Sequence, residues 1–319
     1  MESELSILVL KEEGIGNALL ATPALRALRN KFPSARIDLL ASERNFAVLQ
    51  GLTSIDNLYM FGKQPITHRY EFGMMTEFFT GLFNRAAKPI CNTMIGHPGK
   101  DFQKWHEAEH NLQIVQSKFN AWNGEFIPTE IYLSPLDLQL ADWFEKRGKP
   151  FIVVHQGCLS TDVWRNRRWM IDRWVDLINR LKEEYGVAVV CLGAESERRD
   201  TDYLKERTEI IDLVQQTTIK QSAAITAKAK LCVSIDCGMM HVAAAVECPQ
   251  IALFGCTSEV KSAPWRQGNY EIIRHDIECQ RCYINNVELF KYCDEAKCML
   301  GITVDQVFNK IKESSWLKS

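Results

Sequence analysis

Between residues 230 and 258 the chain sorts its apolar positions into three short blocks. Leu231–Ile235 is apolar and partly β-branched, residues 239–246 are rich in alanine, and Gln250–Phe254 is apolar again. Asp236-Cys237-Gly238 separates the first two, and Gly255-Cys256-Thr257-Ser258 breaks the third. The pattern predicts a buried strand, a tight turn, a short helix and a second buried strand, a βαβ unit that favours a parallel sheet. The same alternation begins near the amino terminus. Residues 5–10 read as a strand, and a helical pattern then runs to about Lys31 with Leu19, Leu20, Ala24, Leu25 and Leu28 on one face. Pro33 ends it, and a strand at 36–41, a helix at 43–50 and a strand at 55–60 complete a βαβαβ half.

Residues 62–125 carry a weaker pattern, with an apolar aromatic stretch at 74–83 and helical spacing at 104–119. A short strand is predicted at 131–133, and Ser134 with Pro135 opens a helix to about Lys146. Gly148-Lys149-Pro150 then resets the chain, which sets a domain boundary there. Beyond it come a strand at 151–155, a long loop at 156–168, a helix at 170–184 and a strand at 187–192. A loop at 193–197 opens another helix, a strand lies at 210–213, and a helix at 219–228 leads into the 230–258 unit. The reading is α/β: an N-terminal Rossmann-like domain (1–148), a C-terminal one (149–305), and a cleft between their strand ends. A terminal helix (306–319) is expected to pack back on the N-terminal domain.

Composition narrows the function. With 319 residues, 46% hydrophobic and 24% charged, the chain can build two ordinary cores. A formal charge of −2 gives no support to a nucleic-acid partner. No apolar run reaches about 18 residues, and no basic n-region with a cleavage site leads the chain, so a cytoplasmic protein is expected. Its 11 cysteines should then be thiols or metal ligands.

Candidate chemistry gathers at two turns. Asp236, the Gly238 amide and His241 surround a helix N-terminus, where unpaired N–H groups and the helix dipole favour an anion. An ordinary βα turn with a capping Asp and a half-buried His is the alternative. Gly14-Ile15-Gly16-Asn17 is a weak phosphate or sugar signal; it is neither GxGxxG nor a P-loop. His106-Glu107-Ala108-Glu109-His110 has the letters of HExxH, but the α/β context disfavours a zinc protease and favours a solvated or acceptor-facing helix. Cys279-x-x-Cys282, Cys293 and Cys298 form a loose metal-ligand pattern, against which stand free thiols or disulfides. A zinc or iron there would be structural.

In this order the motifs resemble glycosyltransferase family 9, the heptosyltransferases of lipopolysaccharide cores. The carrying residues are Gly14-Ile15-Gly16-Asn17 with Thr22-Pro23-Ala24-Leu25, Arg167-Arg168-Trp169 with Trp174, and Leu192-Gly193-Ala194-Glu195. The most specific stretch runs from Asp236-Cys237-Gly238 through His241 to Ala245, with Leu253-Phe254-Gly255-Cys256-Thr257 after it. The resemblance implies a GT-B fold and an inverting transfer that needs no metal for chemistry. It implies an ADP-heptose or other nucleotide-diphosphate-sugar donor in the C-terminal domain, and a lipid-linked saccharide or protein acceptor, with contact at the inner membrane face. Asp236, Cys237, Gly238 and His241 would line the donor. Arg167, standing where the family usually has Lys, would pair with phosphate; a surface Arg in a basic loop is the other reading. Gln156, Ser160 and Thr161 would face the diphosphate, and Asp212 the ribose or merely a strand-end turn.

The chain departs from the family at Asn17, where an Asp commonly serves as general base. An amide cannot accept that proton. Either Glu12 or Glu13 supplies the base, or Asn17 only orients an acceptor otherwise activated, or transfer is lost and binding kept. A nucleotide-sugar epimerase on the same fold is a further alternative.

Overall fold

The computed structural model describes residues 5–76, 81–96, 105–146, 148–157, 166–285, 288, 290, 292–293 and 295–318. They form two compact units, Met1–Tyr132 and Leu133–Ser319. In the first, five parallel strands take the order β3-β2-β1-β4-β5. These are β1 (Ser6–Lys11), β2 (Arg36–Ala41), β3 (Asn57–Met60), β4 (Tyr70–Met75) and β5 (Cys91–Ile95). In the second, six parallel strands run β11-β10-β9-β6-β7-β8. They are β6 (Phe151–His155), β7 (Ala188–Cys191), β8 (Ile211–Asp212), β9 (Leu231–Ile235), β10 (Gln250–Phe254) and β11 (Tyr270–Arg274).

Each sheet grows one way from its first strand and then reverses. The reversal falls between β1 and β4 in the first unit and between β6 and β9 in the second. Doubly wound sheets bind ligands at that switch point, outside the carboxyl ends of the strands. Every residue of β1, β6, β9 and β10 is buried. Continuous apolar runs are what a parallel sheet covered on both faces requires, and they explain why these strands were legible.

Helix α1 (Ile15–Lys31) encloses Pro23, and the Thr22 hydroxyl turns back to the Leu19 carbonyl at 2.7 Å. Helix α4 (Glu107–Phe119) packs on α1, where the buried Asn111 amide donates to the Leu20 carbonyl at 3.1 Å. One face of α4 is therefore core, while Ser117 and Lys118 on it remain exposed. His106 lies outside it as the N-cap, its Nδ1 accepting from Ala108 N–H at 3.2 Å.

Two differences from the sequence reading have physical causes. The strand expected at 131–133 joins no sheet; Tyr132 packs so closely on Gly51 that a Cβ there would lie 2.4 Å from the ring, and the preceding Glu130 accepts from Thr53. Helix α5 (Pro135–Lys146), placed by sequence in the first domain, packs on α8 (Ile219–Lys228) with Lys228 2.9 Å from Glu145, and so belongs to the second unit. The terminal helix, Val304–Ser314, packs on α6 (Ile171–Tyr185) of that same unit. Phe308 lies 4.1 Å beneath the Arg180 guanidinium, which also pairs with Asp305. Among the described residues no helix is long and apolar enough to cross a membrane.

Candidate active site

The switch point of the second unit collects most of the expected donor residues. β6 and β9 are in register with His155 opposite Ser234, so their chains leave the sheet level with one another. From β6 emerge Gln156 and Gly157; from β9 emerge Asp236 and Cys237, and Gly238 opens α9 (Gly238–Ala245). Cys237 is the N-cap and makes no side-chain cap bond, which leaves the first-turn amides of α9 for another acceptor. The Arg167 guanidinium reaches this turn, 3.4 Å from the Asp236 carboxylate and 3.3 Å from its carbonyl. A cation beside a helix N-terminus is a setting that favours an anionic group. His241 is buried on α9.

Buried polar atoms support that use. Gln156 Oε1, Ser234 Oγ and Thr257 Oγ1 lie at the carboxyl ends of β6, β9 and β10 and are buried with no hydrogen-bond partner. Buried polar groups are nearly always satisfied, so three such atoms at one sheet edge point to a polar ligand or to water.

Two residues that sequence reasoning passed over hold the site together. Glu197 is buried, its carboxylate accepting from Ala194 N–H at 2.8 Å and from the Ser196 hydroxyl. It fills the space beside Gly157 and Gly193: a Cβ at Gly157 would fall 2.2 Å from its Cγ. His155 ends β6, with Nδ1 on the Leu192 carbonyl at 2.8 Å. Burial works to discharge His155, but Cys237, Glu197 and the Leu192 carbonyl outweigh it and raise its pKa to about 9. A histidine closing an apolar strand carries no motif; only the register sets it opposite Ser234 at the end of β9.

Asp212 is drawn into the protein instead. Its carboxylate meets Arg198 at 2.7 Å and Lys205 at 3.1 Å, and accepts from Val214 N–H. Partial burial raises its pKa, yet these hydrogen bonds prevail and leave it below the ordinary carboxylate value. Ser160 and Thr161 lie outside the described residues.

The first unit places its candidate residues at its own switch point. Glu12, Glu13 and Gly14 follow β1, and Asn17 stands in the first turn of α1, half-buried. Asn45 fastens the loop by donating to the carbonyls of Lys11 and Glu13. Thr76, leaving β4, bonds the Leu10 carbonyl at 3.2 Å.

Of the four clustered cysteines, Cys282 and Cys298 are buried and Cys279 and Cys293 half-buried, all as free thiols. Burial raises Cys282 and takes Cys298 to about 11, and the neighbouring thiols add to both. Among the described residues no group of three or more His, Cys, Asp or Glu is arranged to hold a metal ion, so the expected zinc or iron gains no support from this geometry. What the segment does is hold Asn166, the residue before Arg167. Asn166 donates to the carbonyls of Cys293 (2.8 Å) and Phe290 (3.4 Å), while its own carbonyl accepts from Cys256.

Known proteins resemble this chain in sequence and fold. Lipooligosaccharide heptosyltransferase 2 of Campylobacter jejuni is 24% identical over 315 residues, covering 94% of this chain and 96% of its own. A glycosyltransferase family 9 structure from Veillonella parvula superimposes with a TM-score of 0.79 at 17% identity, covering 100% and 99% of the two chains. The ADP-heptose lps heptosyltransferase II of E. coli gives 0.76 at 17% identity over 98% and 99%. These likenesses carry the GT-B class of two Rossmann-like domains. The profile of glycosyltransferase family 9 (heptosyltransferase) matches residues 100–292, well over half of the chain, and the chain belongs to that family.

Proposed function

We propose that this protein transfers a heptose, with inversion, from ADP-heptose to a lipopolysaccharide acceptor, the donor held at the β6/β9 switch point. The observation that carries the reading is Arg167 lying against the Asp236 turn, which leads into α9 and its N-cap without a side-chain cap bond. In the reaction, negative charge grows on the departing diphosphate. Arg167 and the amides around Gly238 are fixed beforehand where that charge would lie, which lowers the barrier without a metal. The names of the relatives, which include an ADP-heptose lps heptosyltransferase, support donor and acceptor alike.

The acceptor hydroxyl must lose a proton, and Asn17 cannot take it. Glu12 and Glu13 are the carboxylates of the same loop, and we assign the base to one of them. The test is ADP release with ADP-heptose and a heptose-deficient lipopolysaccharide core. Transfer is expected in the native protein, with about a hundredfold or greater loss in either Glu12→Gln or Glu13→Gln. Should the native protein bind ADP-heptose without transferring it, and Asn17→Asp gain transfer, the protein is a binding protein derived from a transferase; Asn17 itself is what favours that second reading.

A further inference from the structure

Gln156 is the first residue past β6, at the sheet edge where the nucleotide sugar is proposed to lie, and it is 1% exposed. Its amide nitrogen Nε2 donates to the Thr201 hydroxyl at 2.6 Å, on the buried side of α7 (Arg198–Arg207). Thr201 has one O–H, and that proton goes to the Glu197 carbonyl at 2.9 Å, one turn earlier. Toward Gln156 the hydroxyl oxygen can therefore only accept. This fixes the NH2 of the amide on the Thr201 side and leaves the carbonyl oxygen on the other. That oxygen, Oε1, is buried and has no hydrogen-bond partner. Buried oxygens are nearly always paired, so it calls for an N–H or O–H. The neighbouring Ser234 and Thr257 hydroxyls can turn to donate or to accept, and the Gln156 oxygen cannot. A diphosphate offers oxygens that accept, whereas the sugars on either side of it carry hydroxyls.

We propose that Gln156 is a specificity residue whose side-chain carbonyl accepts a hydrogen bond from a hydroxyl of a sugar joined to the diphosphate. Thr201, itself tied to Glu197, is the positioning residue that keeps the carbonyl turned to that hydroxyl. The proposal rests on the reading of ADP-heptose as the substrate of this edge, and it names what the edge recognises besides charge. Two sugars flank the diphosphate there, the ribose and the one transferred. A ligand without the hydroxyl leaves a buried carbonyl unpaired, and sites built in this way discriminate against such ligands.

Calorimetry on the full-length protein compares ADP-heptose, ADP, ADP lacking either free ribose hydroxyl, and inorganic pyrophosphate. Gln156→Leu is expected to weaken ADP-heptose about tenfold and to leave pyrophosphate unchanged. Thr201→Val should do the same while Thr201→Ser should not, a split that lost packing alone would not produce. If the hydroxyl is the ribose's, ADP weakens together with ADP-heptose, and one deoxy form of ADP binds native protein and Gln156→Leu alike. If it belongs to the transferred sugar, ADP-heptose alone weakens. Equal weakening of pyrophosphate, or undiminished binding of ADP-heptose, overturns the role of Gln156 and leaves the ADP-heptose reading standing. Thr201→Val that discriminates as the native protein does overturns the positioning role. Native protein that binds none of these ligands sinks the ADP-heptose reading, and the role of Gln156 falls with it.

Discussion

At the scale of single residues, the proposed anion site rests on Arg167. It is held by the turn that it serves, so removing it takes away a charge without emptying a core. Arg167→Ala should raise KM for ADP-heptose about tenfold to a hundredfold with a smaller change in Tm, since a hydrogen bond to a charged group contributes about 1.5–3 kcal/mol. Arg167→Lys should recover part of the loss, because a single ammonium cannot reproduce the two parallel bonds. His155 makes a prediction about pH. Its pKa rises from about 6.5 unfolded to about 9 folded, so its proton binds more tightly in the native state. The stability it contributes is complete below about 6.5 and disappears as pH rises through about 9. Urea midpoints of the native protein should decline across that window, and His155→Gln should show a flatter profile.

At the scale of elements, close packing beside the donor turn leaves no room for side chains. Gly157→Ala must displace the buried Glu197, whose carboxylate is already committed to Ala194 and Ser196. A cost of about 2 kcal/mol is expected in urea unfolding, as for other overpacked sites. The terminal helix offers a contrast in kind. Phe308→Ala opens a cavity under Arg180, and about 3 kcal/mol should be lost with KM for the donor nearly unchanged. Elements such as β6, β9 and β10 were legible because burial on both faces leaves an unbroken apolar run. β4 and β5 were not: Tyr70–Met75 includes Glu71 and a glycine, and Cys91–Ile95 includes Asn92 and Thr93, so neither shows a clean period. The misassigned α5 has a helical pattern that was read correctly; what sequence does not state is which core an amphipathic face will choose.

For the whole molecule, the two sheets repeat one design, and the reversal of strand order places both sets of candidate residues at equivalent points. The motifs at Gly14–Asn17 and Asp236–His241 were visible as letters, whereas their place beside the switch strands follows only from topology. Glu197 and His155 escaped notice because their importance lies in contacts across strands. ADP should protect backbone amides at 155–157 and 236–241 from hydrogen exchange and leave residues 12–17 unchanged. A ligand at about a hundred times its Kd should also stabilise the folded protein by about 2.7 kcal/mol.

Asn166 has a consequence for how such a protein can diverge. Its side chain ties the residue preceding Arg167 to carbonyls more than 120 positions later, and its backbone to Cys256. The aim of Arg167, the arginine proposed to bind phosphate, thus depends on a segment distant in sequence. Insertions or exchanges there would tune donor affinity while every residue of the transfer motif stays as it is. Natural variation in catalytic efficiency among close relatives should therefore be sought in the cysteine-bearing segment as readily as in the donor turn.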